Sequence, residues 1–182
     1  MDTLKQSFME RYHLSNYQFA QLTFLWKTLA SDISKLLIMG FIFHRQLPLY
    51  LYALSIMLML RCSTGGLHFY TYLQCLAVST IYLSLAMLIL PFITLSQPLQ
   101  IMLSALCIPI CYCIGPVPSR YRTPYAEPII RRCKITISVF ILLYTLILFI
   151  MPESKYTVTG VWIIILHTLQ LAAAKYIRKE EP

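Results

Sequence analysis

Residues 76–95 read LAVSTIYLSLAMLILPFITL, twenty positions without one charged side chain. A helix rises ~1.5 Å per residue, so about 20 apolar residues cross the ~30 Å hydrocarbon layer of a bilayer. A second run, ITISVFILLYTLILFIM, fills residues 135–151. Hydrocarbon offers backbone groups no water, so such runs are expected as helices that satisfy their own hydrogen bonds. The expected fold class is an all-α integral membrane protein.

Working outward, two more spans are expected, near residues 99–114 and 157–174. A short uncharged turn holding Pro98 separates the first of these from the opening run. After it comes GPVPSRYRTPYAEPIIRRCK, residues 115–134. Its four prolines argue against a continuous helix. Upstream, residues 61–75 are polar and glycine-bearing. Before them, the apolar stretches 36–43 and 47–60 are broken by His44, Arg45 and Gln46. They form either two short spans or one re-entrant hairpin. Two spans are preferred, because a non-helical hairpin in the bilayer would need burial in protein. The first stretch lengthens if it begins near Leu29, but then it carries Asp32 and Lys35. Over residues 1–34, Leu14, Tyr17, Leu22, Leu25, Trp26 and Leu29 recur at roughly helical spacing. That pattern suits an amphipathic helix in the membrane interface or one packed on the rest of the protein. The sum is about six transmembrane helices, or four plus a re-entrant hairpin, after an N-terminal amphipathic helix.

The composition agrees with one membrane domain over 1–182: 58% of residues are apolar and 12% charged. Too little polar sequence remains for a second domain. The net charge of +8 comes from 15 Lys and Arg against 7 Asp and Glu. In a membrane protein such an excess marks cytoplasmic loops rather than nucleic-acid binding. Residues 115–134 hold Arg120, Arg122, Arg131, Arg132 and Lys134, and the tail holds Lys175, Arg178 and Lys179. The turns between the other late spans carry almost no basic charge. Both basic segments are therefore expected in the cytoplasm, and counting spans backward puts residues 61–75 and the N-terminus there too. Residues 1–19 are polar, so no cleavable signal is expected. The six cysteines lie mostly in or beside apolar runs. Cys107, Cys111 and Cys113 have no His, Asp or Glu nearby in sequence, so they are expected as small packing residues rather than metal ligands.

Chemistry concentrates in RCSTGGLHFYTYLQC, residues 61–75. His68 precedes Cys75 by seven positions, and Cys75 stands at the mouth of the long apolar run. A thiolate is the reactive form of cysteine, and a neighbouring imidazole can take its proton, so the pair suffices for acyl transfer. On one straight helix, residues seven apart lie ~10.5 Å apart along the axis. A working nucleophile and base need about 3 Å. Catalysis by this pair therefore requires that the two not share one straight helix. Gly65 and Gly66 permit the positive-φ backbone of such a bend. The bland alternative is an inert cysteine and a satisfied interfacial histidine. Arg61 likewise reads as a membrane-end anchor or as a cation for a carboxylate or an oxyanion. His13, His44 and His167 have no partner in sequence and are expected to be structural. No zinc-binding spacing occurs, so neither metal nor cofactor is expected.

The pattern R-x3-G-G-x-H-x6-C before a membrane span, in a chain of this length, resembles the accessory gene regulator B family. The match includes the multi-span layout, a basic proline-bearing segment midway and a short basic tail. The resemblance implies a membrane cysteine endopeptidase with Cys75 as nucleophile, His68 as its partner, and Arg61 and Gly66 in support. It implies as substrate a short propeptide with an amphipathic N-terminal helix, a signal segment and an acidic C-terminal tail. The propeptide would be cut before the tail and closed into a thiolactone or lactone used in quorum sensing. The resemblance also suggests a homodimer and a location in the bacterial cytoplasmic membrane. Two departures stand out. The basic segment spreads arginines among prolines where the family often has a tight run of lysines. No third triad member is evident; Gln74, Ser63, Thr64 and Glu127 are the candidates. The five basic residues of 115–134 either attract the acidic tail or only set orientation. A non-catalytic transporter or scaffold, and a protease that hydrolyses without cyclising, are the competing functions.

Overall fold

The computed structural model describes residue 11 and residues 15–65, 71–117, 125–151 and 154–180. The chain divides into two compact units, 1–44 and 45–182.

In the first unit, helix α1 (Asn16–Ile42) runs unbroken for 27 residues, about 40 Å at 1.5 Å per residue. Ser15 starts it with a capping box: its hydroxyl accepts from the Gln18 amide at 3.2 Å. The Gln18 side chain accepts from the Ser15 amide at 2.9 Å, so two donors at the helix start are satisfied. No proline interrupts the run until Pro48. The apolar stretch 36–43 is therefore no separate span but the end of α1. Asp32 and Lys35, the charges that made this stretch awkward, pair with each other at 3.1 Å. Phe24, Leu25 and Trp26 are all exposed. Consecutive residues are turned ~100° apart, so the apolar surface of α1 is broader than one stripe.

The second unit holds five helices long and apolar enough to cross a membrane. A tight turn, His44–Gln46, leads into α2 (Leu47–Thr64). Helix α3 begins as Tyr72–Ser84. It widens over Leu85–Ile89 and tightens over Leu90–Phe92. Pro91 explains the change, since it lacks an N–H and its ring crowds the carbonyl four residues back. Helix α4 spans Gln97–Ile114, α5 Glu127–Ile150 and α6 Lys155–Glu180. Pro48, Pro98 and Pro128 each sit in a first turn, where the missing N–H costs no helix bond. For that reason the expectation of a loop through residue 134 is corrected. Helix α5 starts at Glu127, and Arg131, Arg132 and Lys134 lie on its first turns.

Helix α6 lies in the centre, with Val161, Ile163, Ile164 and Leu171 fully buried. Ala53 and Leu60 of α2, Leu83 and Ala86 of α3, and Ile141 of α5 complete the core. The outer faces stay apolar: Leu142, Leu143, Leu146 and Phe149 of α5 are all exposed. A water-soluble monomer does not leave so much contiguous apolar surface uncovered. The protein is an all-α, multi-pass membrane protein. Among the described residues no strand forms; Gly65 and Val117 make one isolated parallel bridge.

Candidate active site

Helix α2 delivers Arg61, Thr64 and Gly65 in succession at its C-terminal end. Arg61 and Thr64 share the face that carries buried Met57 and Leu60. Gly65 ends the helix at φ 72°, ψ −136°, a region open mainly to glycine. Its amide closes the helix on the Arg61 carbonyl at 2.8 Å. A side chain here would meet the Val117 carbonyl oxygen at 2.6 Å, and the Val117 amide donates to the Thr64 carbonyl at 2.9 Å. The head of the basic segment is thus stitched to the start of the glycine pair.

Cys75 enters on the first turn of α3. Thr71 caps that helix, its hydroxyl accepting from the Gln74 amide at 3.3 Å. Cys75 is half-buried and free. Residues 75, 79, 82 and 86 share one face of α3. Ser79, Tyr82 and Ala86 on that face are buried, so the thiol lies on the inward side. Two turns below it, the Tyr82 ring lies 6.0 Å from the Arg61 guanidinium, at the edge of cation–π range. The Tyr82 hydroxyl donates to the Ile163 carbonyl at 2.7 Å, fixing α3 against α6.

His68 and Gly66 fall within 66–70, outside the described residues. So do Arg120 and Arg122 of the basic segment, and His13. The helix bearing Cys75 begins at Tyr72, behind its Thr71 cap.

Two residues that sequence spacing missed come from α6. His167, expected to be merely structural, is 1% exposed and meets the Thr64 hydroxyl at 2.8 Å through Nε2. Thr64 spends its single proton on the Leu60 carbonyl, also at 2.8 Å. His167 Nε2 is therefore the donor and Thr64 the acceptor. Gln170, one turn on, accepts from the Arg61 guanidinium at 3.4 Å. The Arg61 Nε, His167 Nδ1 and Gln170 Nε2 atoms are buried without hydrogen-bond partners among the described residues. The one ion pair among those residues is Asp32–Lys35, so none of the described acids pairs with Arg61. Nothing in sequence links position 64 to 167 or 61 to 170; only the periodicity of α6 could have hinted that 167 and 170 share a face.

Of the other third-member candidates, Gln74 is exposed and Ser63 half-buried, with the Ser63 hydroxyl donating to the Met59 carbonyl of its own helix at 3.3 Å. Glu127 begins α5. With Pro128, Arg131, Arg132, Ile135 and Thr136 it lines an open groove of about 490 Å³. Lys134 differs from its basic neighbours. Its stem covers the Gly115 turn, and its ammonium lies 5.4 Å from the Tyr112 ring. Lys175 caps the end of α4, 3.3 Å from the Ile114 carbonyl. The cysteine cluster packs as expected at two positions. Cys107 and Cys111 are buried, and Cys111 contacts the Thr168 hydroxyl at 3.3 Å; Cys113 is exposed. No group of His, Cys, Asp and Glu among the described residues is arranged to hold a metal ion.

The family model described as Accessory gene regulator B matches residues 6–171. Neither a curated protein nor a solved structure matches the chain. The family match spans α1 to α5, most of α6 and the segment from Arg61 to Cys75. The chain therefore belongs to the accessory gene regulator B family, the processing proteases of the quorum-sensing peptide system, and acts as a multi-pass membrane protein.

Proposed function

We propose that the protein is a membrane cysteine endopeptidase that cuts a short propeptide through Cys75 and closes the retained part into a ring. What carries the reading is Cys75 on the inward face of α3, two turns from the tyrosine that meets the uncompensated Arg61. Of the three described members of the family's motif, Arg61 and Gly65 end α2 and Cys75 enters on the first turn of α3.

The steps balance as acyl transfer. His68 takes the proton of the Cys75 thiol, and the sulfur attacks the scissile carbonyl. The tetrahedral intermediate collapses with cleavage of the C–N bond. His68 returns the proton to the departing amine, and the acidic tail leaves. The remaining peptide is held as a thioester on Cys75. A thiol or hydroxyl within it then attacks the thioester carbonyl, its proton passing by way of His68 to the Cys75 sulfur. Exchange of one thioester for another is near energy-neutral, so closure needs no ATP. Water must be kept from the thioester, and a half-buried sulfur at a membrane helix suits that need.

The propeptide's amphipathic helix would lie in the interface beside the enzyme, raising its local concentration. Its acidic tail would be drawn to the basic segment, where Arg131 and Arg132 line the open groove and Arg120 and Arg122 precede it. Basic residues near 115–134 and 175–179 put that end in the cytoplasm. With five crossings in the second unit, a cytoplasmic N-terminus requires α1 to cross as well. Its length and its Asp32–Lys35 pair allow this. The membrane is then the bacterial cytoplasmic membrane, and a homodimer is the expected assembly.

Mass spectrometry of the product formed by protein in lipid vesicles tests the reading. A ring one water lighter than the linear signal peptide is expected, with none from Cys75→Ala. A linear product alone leaves a plain protease. Full activity in Cys75→Ala removes the cysteine mechanism altogether.

A further inference from the structure

A cation inside a membrane bundle normally finds an acid, because unpaired charge is costly in a low-dielectric interior. Among the described residues Arg61 instead finds neutral groups: the Gln170 amide oxygen at 3.4 Å and the Tyr82 ring at 6.0 Å. Its Nε has no partner among the described residues. A neutral acceptor orients a guanidinium without cancelling its charge, whereas a carboxylate would do both. One helical turn later in α2, Thr64 is held at three points. Its hydroxyl proton goes to Leu60, the hydroxyl oxygen accepts from His167, and its carbonyl accepts from Val117. Thr64 is the last residue before the Gly65–Gly66 pair that leads to His68. Both anchors, Gln170 and His167, are three residues apart on the buried face of α6 and lie outside the family's motif.

We propose that Gln170 and His167 are positioning residues for the active site. Gln170 holds Arg61, a cation with no acid beside it among the described residues, at the end of the bundle where α3 brings in Cys75, for negative charge that develops during the reaction. His167, through Thr64, fixes the end of α2 from which Gly65 departs. The inference rests on the proposed cysteine endopeptidase reading and adds α6 to its working parts. Charge that appears only in the transition state gains most from a fixed, uncancelled cation. The effect should therefore fall on kcat and spare KM.

The test uses full-length protein in lipid nanodiscs with a synthetic peptide that joins an amphipathic helix, a cysteine-containing segment and an acidic C-terminal tail. It reads kcat, KM, thermal midpoint and the rate at which iodoacetamide alkylates Cys75, followed by peptide mass mapping. Gln170→Leu and Thr64→Val are each expected to lower kcat about tenfold, with KM, midpoint and Cys75 alkylation near wild type. Gln170→Glu, the same shape with a negative charge, should lower kcat further than Gln170→Leu. Thr64→Ser and His167→Gln each keep the hydrogen-bonding group and should restore most of the rate, unlike His167→Leu. Native kcat in both Gln170→Leu and Thr64→Val overturns the proposal. So does a loss matched by slower Cys75 alkylation and a lower midpoint, which marks a role in folding only. A fully active Cys75→Ser would instead remove the underlying reading. Its inactivity beside native Gln170→Leu and Thr64→Val removes only the positioning roles.

Discussion

The two ends of the second unit solve the same problem differently. At the end formed by the start of α6 and the finish of α5, polar groups close on one another. The Tyr144 hydroxyl donates to the Thr157 carbonyl at 2.9 Å and meets the Tyr52 hydroxyl at 3.2 Å. Tyr52 stands edge-on to Tyr156 with ring centroids 5.5 Å apart. The Gln97 amide donates to the Leu148 carbonyl at 2.7 Å, and Ser154 caps α6 through the Thr157 amide at 3.2 Å. The opposite end, with Arg61, His167 and Gln170, leaves nitrogen atoms of a guanidinium, an imidazole and an amide without hydrogen-bond partners among the described residues. The closed end is not perfectly satisfied, since the Thr159 hydroxyl lacks a partner, but what it leaves over is neutral. One end is built to stay shut. The other holds a charge and polar nitrogens without partners among the described residues, which is what the proposed site would use.

The sharpest way to break this contrast is Gly65→Ala. The substitution forces a side chain into φ 72° and against the Val117 carbonyl oxygen. Backbone in that region costs of order 1–3 kcal/mol, and the clash adds to it. Processing should fall at least tenfold and the thermal midpoint should drop. Native activity and stability in this variant would mean that the turn is not needed in its observed form. At the closed end the matching change is Gly160→Ala. The new methyl group would overlap the Tyr144 hydroxyl, which two hydrogen bonds hold in place. Overpacking of this kind costs about 1–3 kcal/mol. The midpoint should fall while kcat per folded molecule, measured well below the midpoint, stays near wild type. A selective loss of kcat would show that the two ends are coupled.

Much of this was legible in the sequence, for reasons that differ by region. Apolar runs at 76–95 and 135–151 announce spans because hydrocarbon admits little else. The turn at Gly65 was legible because the positive-φ backbone it adopts is open mainly to glycine. Helix ends were harder. Pro128 reads as a breaker inside a run but is harmless in a first turn, so α5 began earlier than the prolines suggested. The unbroken α1 was hidden by its charges, because a sequence does not say that Asp32 and Lys35 will pair. His167 and Gln170 were invisible as neighbours of Thr64 and Arg61. Their partners lie more than a hundred positions away, and only packing α2 against α6 brings them together.

A gentler change sharpens the comparison at the closed end. Tyr144→Phe removes a hydroxyl that serves both Thr157 and Tyr52. With each hydrogen bond worth about 0.5–1.5 kcal/mol, a modest fall in midpoint is expected and no change in product. A change in the ratio of ring to linear product would place this end within the reaction.

The smallest expected effect lies at the open end, in Arg131→Gln with Arg132→Gln. Both side chains are exposed on the first turns of α5 and line the groove that begins with Glu127. Attraction of an acidic tail to such a surface is long-ranged and screened over ~8 Å at physiological salt. The pair of changes should therefore raise KM a fewfold at low ionic strength, leave kcat alone, and become silent as salt is added. Lys134 makes the internal control. Its stem is folded over the Gly115 turn and its ammonium over the Tyr112 ring, so Lys134→Gln should act on stability with little dependence on salt. A salt-independent rise in KM from the arginine pair would mean direct contact rather than steering. No change at any ionic strength, with orientation in the membrane intact, would reduce these arginines to markers of which side faces the cytoplasm.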